Sequence, residues 1–177
     1  GGITEVSTWA ELKNALESSS SGITVKVSAN IKTGTLNANT GLHQKDIITV
    51  KNEKTLDLNG YTVTAYVKYQ MEFKETSVIK SESVFTEFTI RDSSENKDGK
   101  LVGDFRENYE YHLISIPRGS FVLESGILEM ECPSSEFFNL KSAVYIKDRA
   151  TFNGGEVLTR VTSEGGEMSR MYSRRLH

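Results

Sequence analysis

A single cysteine, Cys132, stands among the 177 residues of this chain. One thiol excludes an internal disulfide framework and any cysteine-rich zinc site. With no basic or helix-terminal neighbour evident, Cys132 reads as a small packed hydrophobe rather than a reactive thiol. An excess of basic charge is also missing. Lys and Arg number 21 against 24 Asp and Glu, for a formal net charge of −3. That balance gives no electrostatic reason to expect a nucleic-acid partner. No apolar run approaches the roughly 20 residues that span a bilayer, so membrane insertion is not expected. The three histidines, His43, His112 and His177, lack H-x-x-x-H spacing, and no metal or other cofactor is expected. No signal-peptide pattern opens the chain, and its start at Gly1-Gly2 without a Met suggests an excised part of a larger multidomain protein. What is present, 37% hydrophobic and 25% charged residues, is ordinary for a soluble domain with one packed core.

The N-terminus reads as one helix. Thr8-Trp9-Ala10-Glu11 matches a capping box, and Trp9, Leu12, Ala15 and Leu16 fall on one apolar stripe. The serine run Ser18 to Ser21 with Gly22 ends it. Ile23 to Val27 then alternates as a strand does.

From residue 47 the pattern repeats at long range. Each unit holds three short strands: Ile48–Val50, Leu56–Leu58, Thr62-Val63; then Val84-Phe85, Phe88–Ile90, Leu101-Val102; then Ile114–Ile116, Phe121–Leu123, Ile127-Leu128; then Val144–Ile146, Ala150–Phe152, Val157-Leu158. The middle strands begin at Leu56, Phe88, Phe121 and Ala150, a nearly constant step of roughly 30 residues, and a steady period in this range signals stacked repeats. Strand units without a helical stripe stack into a parallel β-solenoid, because one coil alone cannot bury its interior. An antiparallel sandwich also uses many short strands but would not repeat at this step. The expected fold is therefore all-β, a right-handed parallel β-helix. Residues 1–22 cap it, residues 23–162 form the solenoid, and residues 163–177 form a tail or C-terminal cap. Leu56, Phe88, Phe121 and Ala150 are expected in one interior ladder.

Particular strings carry a family resemblance. Ser7-Thr8-Trp9-Ala10-Glu11-Leu12 resembles the helix that opens bacterial pectate-lyase-like β-helix domains. Lys54 to Val63, reading KTLDLNGYTV, Thr89 to Ser94, and Ala143 to Ile146 with Thr151 to Gly155 resemble their coils. The likeness covers about residues 6–160 and concerns structural turns and ladders, so it speaks for fold more than for activity. It implies a secreted or cell-surface module, with an extracellular location resting on the resemblance alone.

Chemistry is sparse. Pectate-lyase-like enzymes use clustered Asp ligands and an Arg base, and polygalacturonase-like hydrolases use D-D, G-H-G and R-x-K elements. No D-D, G-H-G or R-x-K string occurs in this chain. A glycosidase needs two facing carboxyls, and the middle strands put no Asp/Glu pair at matching positions in adjacent coils. Arg91 beside Glu124 reads as a cross-strand ion pair. Asp92 to Gly99 is rich in oxygen ligands but fails the EF-hand pattern and reads as a solvated turn.

The loops are richer. Insertions at about 64–77, 103–112 and 131–142 follow the third strand of successive units, so they should stack on one side. They carry Tyr66, Tyr69 and Phe73, then Phe105, Arg106, Tyr109, Tyr111 and His112, then Phe137 and Phe138. The phenylalanines are expected to fold back onto the coil, and Tyr109 and Tyr111 to be exposed. Tyr66, Tyr69, Tyr109 and Tyr111, with Arg106 and His112 at the rim, form the candidate contact surface for a polysaccharide or host glycan. In the tail, Met168, Met171, Tyr172 and Leu176 fall at helical spacing, which fits a cap helix; another coil or an unpartnered tail fits equally. The expected function is a non-catalytic surface module, adhesin-like, spacer or glycan-binding. The alternatives are a polysaccharide lyase or glycoside hydrolase, and a phage tail or spike fragment.

Overall fold

The computed structural model describes residues 1–33, 42, 44–67, 77–105, 110–133, 141–162 and 168–175, the last stretch by its backbone. The chain opens with β1 (Ile3–Val6) and α1 (Trp9–Glu17). Next come β2 (Ile23–Val27), β3 (Ile31–Lys32), a 3₁₀ turn at Gln44–Asp46 and β4 (Ile48–Thr49). Three complete three-strand turns follow: β5 (Glu53–Asp57), β6 (Thr62–Val67) and β7 (Ser77–Lys80); β8 (Glu87–Arg91), β9 (Lys100–Phe105) and β10 (Tyr111–Ile116); β11 (Ser120–Leu123), β12 (Ile127–Cys132) and β13 (Lys141–Ile146). The chain continues through β14 (Arg149–Phe152), β15 (Glu156–Thr162) and β16 (Met168–Arg175).

Every third strand joins the same sheet. Sheet A runs β1-β2-β5-β8-β11-β14, sheet B β16-β15-β12-β9-β6-β3, and sheet C β13-β10-β7-β4. All pairings are parallel except β15 with β16. This is a parallel β-solenoid, and three walls face one interior filled by Val25, Leu56, Ile90 and Leu123 from sheet A, Val63 and Leu101 from sheet B, and Ile48, Ile79 and Ile114 from sheet C. A single coil cannot hide its apolar face, so stability comes from stacking, as in other repeat folds.

The helix forms where the stripe places it. Thr8 Oγ1 accepts the Glu11 N–H at 3.2 Å, and Trp9, Leu12, Ala15 and Leu16 are the buried face. Glu11 reaches back one residue further than a standard capping box, to the backbone and hydroxyl of Ser7. The helix packs across the start of the stack and docks on β4: the Trp9 indole donates to the Asp46 carbonyl, Lys13 to that of Ile47, and Glu17 accepts the Thr49 N–H.

Four expectations change. In sheet A the register pairs Phe88 with Phe121 and Phe121 with Ala150, but the residue beside Phe88 is Lys54, and Leu56 meets Ile90. Val84-Phe85 is not a strand; Ser77–Lys80 takes that place in sheet C, and Val84 and Phe85 stand exposed at a turn. Arg91 meets Asp57 at 3.8 Å instead of Glu124, because the two-residue shift of register aligns those side chains. Of the three readings left open for the tail, the helical one falls away: residues 168–175 form a strand antiparallel to β15. Sheet C also breaks the two-residue alternation. Successive apolar residues are both buried at Ile47-Ile48, Val78-Ile79 and Leu113-Ile114. Ala150, expected in the interior ladder, is instead exposed with Phe152, because β14 is the last strand of sheet A and no further rung covers it, whereas Phe121 and Leu123, one rung earlier, are fully buried. Among the described residues no helix is long and apolar enough to cross a membrane.

Candidate functional site

The corner between sheets A and B is built around two carboxylates. Asp57 and Asp92 are buried there. The Asp92 carboxylate accepts the N–H groups of Gly60, Ser94 and Gly99, and Asp57 accepts those of Asn59 and Ser93. Each aspartate thus ties its own turn to a neighbouring coil, and the stretch Asp92 to Gly99 is folded around a buried carboxylate instead of being wholly solvated. Asn96-Lys97-Asp98, which matches the N-x-D element of polygalacturonase-like hydrolases, lies within it, all three residues exposed.

Of the six predicted contact residues, Tyr66, Tyr111 and His112 are described. Each of the three insertions connects a sheet B strand with the next sheet C strand. Tyr69, Arg106 and Tyr109 lie outside the described residues. Tyr66 is half-buried on β6, on the outer side of sheet B, as the register partner of Asp104. Tyr111, expected to be exposed, is 2% exposed, and its ring stacks on Phe105 with centroids 5.5 Å apart. The pair fills the core at the corner, so Tyr111 offers no face to a ligand. His112, the next residue, turns outward on sheet C.

His112 leads to a feature that the loop argument overlooked. Its ring stacks on that of Tyr145 in β13, centroids 4.7 Å apart and planes 20° from parallel. The imidazole is held at both nitrogens, by the Ser142 hydroxyl at 2.6 Å and by Glu110 at 3.3 Å. The Lys147 ammonium lies 5.7 Å from the Tyr145 centroid. Tyr145 is 40% exposed, large for a ring held this firmly. It lies in register with Ser115 and, through Ser115, with Lys80, whose ammonium bridges to Glu82 at 2.8 Å. The sequence signal was there, since Tyr145 is the outward residue of a strand that was recognised. Only the stacking partner was invisible.

A second cluster sits on the outer side of sheet B. Asp104 and Glu131 are register partners on β9 and β12, so acids do meet on adjacent coils. Glu53 and Glu87 do likewise in sheet A. Glu53 and Glu87 correct the expectation that the middle strands hold no such match, while Asp104 and Glu131 lie on third strands, which that expectation did not cover. Glu129, two residues before Glu131 on the same side, is 3% exposed and takes Arg160 Nε at 2.7 Å and Lys100 at 3.7 Å. Burial, the hydrogen bond with Glu129, and the negative charges of Glu129 and Asp104 push the Glu131 carboxyl up to about 8. Burial acts the same way on Glu129, but its hydrogen bonds with Glu131 and Arg160 and the charges of Lys100 and Arg160 outweigh it and hold that carboxyl below the usual range. Asp104 and Glu129 are closed off from solvent.

No protein-family model, curated protein or solved structure matches this chain.

Proposed function

We propose that this chain is a glycan-binding β-helix module of a secreted or cell-surface protein, acting by binding and not by turnover. The observation that carries this reading is the exposed Tyr145 ring braced by His112 on a rigid parallel sheet. A sugar ring has apolar C–H faces and polar edges, which an aromatic face beside hydrogen-bonding groups complements. Here Lys147 beside the Tyr145 ring supplies a donor, and Glu110 at the bracing imidazole supplies an acceptor. The extracellular setting rests on the pectate-lyase-like strings noted above. A glycan array followed by titration calorimetry tests the reading. Tyr145→Ala should abolish binding and leave the fold intact by circular dichroism. Unchanged binding would remove this face from consideration.

A second reading, cleavage of a polysaccharide, draws on the Asp104–Glu131 register pair and the shared proton of Glu129 and Glu131. Release of reducing ends or unsaturated products from pectin or alginate, lost in Glu131→Gln, would favour it over binding alone.

A further inference from the structure

The chain carries two Asn-Gly pairs, Asn59-Gly60 and Asn153-Gly154. Both lie in turns that lead from a sheet A strand to the next sheet B strand, one after β5 and the other after β14. This dipeptide has a chemistry of its own. Glycine has no side chain to shield its amide nitrogen, so that nitrogen can approach the preceding carboxamide carbon. The approach has two requirements. The asparagine side chain must swing toward the following peptide, and the glycine N–H must be free to give up its proton.

At Asn59 both are denied. Its carboxamide donates to the Val27 carbonyl, one coil earlier, at 3.0 Å. The Gly60 N–H donates to the buried Asp92 carboxylate, one coil later, at 3.1 Å. That carboxylate also opposes loss of the proton, since ionising the N–H would set two negative charges side by side. Asn153 shows the opposite arrangement. It is exposed, and its backbone N–H donates to the Leu123 carbonyl at 2.9 Å. Among the described residues no hydrogen bond holds its carboxamide or the Gly154 N–H. β14 is the last strand of sheet A, so no further rung of that sheet supplies an acceptor as Asp92 does for Gly60.

From this contrast we infer that Asn153 is a site of covalent self-modification, converted in water to aspartate and isoaspartate, while the fold protects Asn59. The Gly154 nitrogen bonds to the Asn153 side-chain carbonyl carbon, and its proton passes to water. The carboxamide nitrogen takes up a proton and leaves as ammonia, which closes a cyclic imide. Water then adds to one of the two imide carbonyls. Breaking the bond from nitrogen to the side-chain carbonyl gives aspartate; breaking the bond to the main-chain carbonyl gives isoaspartate. Isoaspartate lengthens the main chain by one carbon. Asn153 sits between two hydrogen bonds that join this turn to the coil before it, its own N–H to Leu123 and that of Glu156 to Gly126 at 3.0 Å. The lengthening therefore falls on the corner and loosens the entry to β15.

The test ages the whole chain at mildly alkaline pH and maps its peptides by mass spectrometry. The Asn153 peptide should gain the mass of an amide-to-acid exchange and split into two isomers. Asn153 should convert at least about tenfold faster than Asn59, which must first break two hydrogen bonds. In urea the two rates should converge, because both sites are then free. Gly154→Ala, at a glycine outside the left-handed region, should slow conversion of Asn153, with its fold checked by circular dichroism. Equal rates at the two sites in the folded chain overturn the inference. A difference that persists in urea also overturns it, since the contrast would then belong to flanking sequence and not to the fold. Undiminished conversion in Gly154→Ala would exclude the imide route.

Discussion

Lys54 and Phe88 are register partners on neighbouring strands of sheet A, and both are fully buried. The lysine keeps its charge there because its ammonium donates to the carbonyls of Ser18, Ser20 and Lys51, the first two at and just beyond the C-terminal end of α1. It caps the last turn of the helix and occupies ladder space together, which fastens the helix to the stack. Burial and the nearby charge of Lys51 draw its pKa below the usual lysine value.

Lys54→Ala should therefore cost about 2–4 kcal/mol, combining a cavity with three carbonyls that lose a charged donor. Lys54→Met should cost less, since it refills the ladder. Urea unfolding of the two variants checks the order. An alanine variant as stable as the parent would mean that the helix docks without it.

Asp92→Ala should cost about 3 kcal/mol. Three backbone N–H groups, from two adjacent turns, would lose one acceptor in a buried corner. Thermal unfolding and hydrogen exchange at Gly60, Ser94 and Gly99 read the effect. Exchange confined to Ser94 would show that the carboxylate does not bridge coils.

Stability should fall as pH rises from about 5 to 8.5. Glu131 has a folded-state pKa raised to about 8 from its ordinary 4.5, so the folded protein holds a proton that the unfolded chain has released. That contribution is complete below about 4.5 and is lost as pH passes through about 8. After allowance for solvent screening it is on the order of 1–2 kcal/mol. Glu129, shifted the other way, matters only on the acid side, where its contribution disappears as pH falls below the usual carboxylate range. Urea midpoints at pH 5.5, 7 and 8.5 should decline, and Glu131→Gln should flatten the slope. An equal slope in that variant would assign the effect elsewhere.

Gly119→Ala should destabilise the chain by roughly 3 kcal/mol or more and should disturb the exposed turn that carries Phe85. Gly119 has φ of +95°, and an added Cβ would fall 2.9 Å from the Ser83 carbonyl oxygen and closer still to that of Thr86. Both atoms are main chain and cannot rotate away. Fluorescence of a Phe85→Trp reporter should change in the glycine variant, and an unchanged spectrum would show that the turn tolerates the methyl group.

The long-range repeat, the alternation in Phe88–Ile90 and Phe121–Leu123, and the Thr8 cap with its Trp9, Leu12, Ala15 and Leu16 stripe determine by themselves a helix-capped parallel solenoid. Each is a local or periodic consequence of which side chains avoid water. Register was not local. Lys54 beside Phe88 contradicts hydrophobic matching, and only the carbonyls waiting at the end of α1, a full coil earlier in the chain, make that pairing favourable. The same holds for the site. Tyr66, Tyr111 and His112 look alike as polar aromatic residues near one corner, yet packing puts Tyr111 inside against Phe105 and leaves His112 outside to brace Tyr145 on the next coil. Which of two adjacent rings faces the core depends on the broken alternation of sheet C, where three walls of unequal length must close around one interior. Composition does not encode that closure; the meeting of the walls decides it.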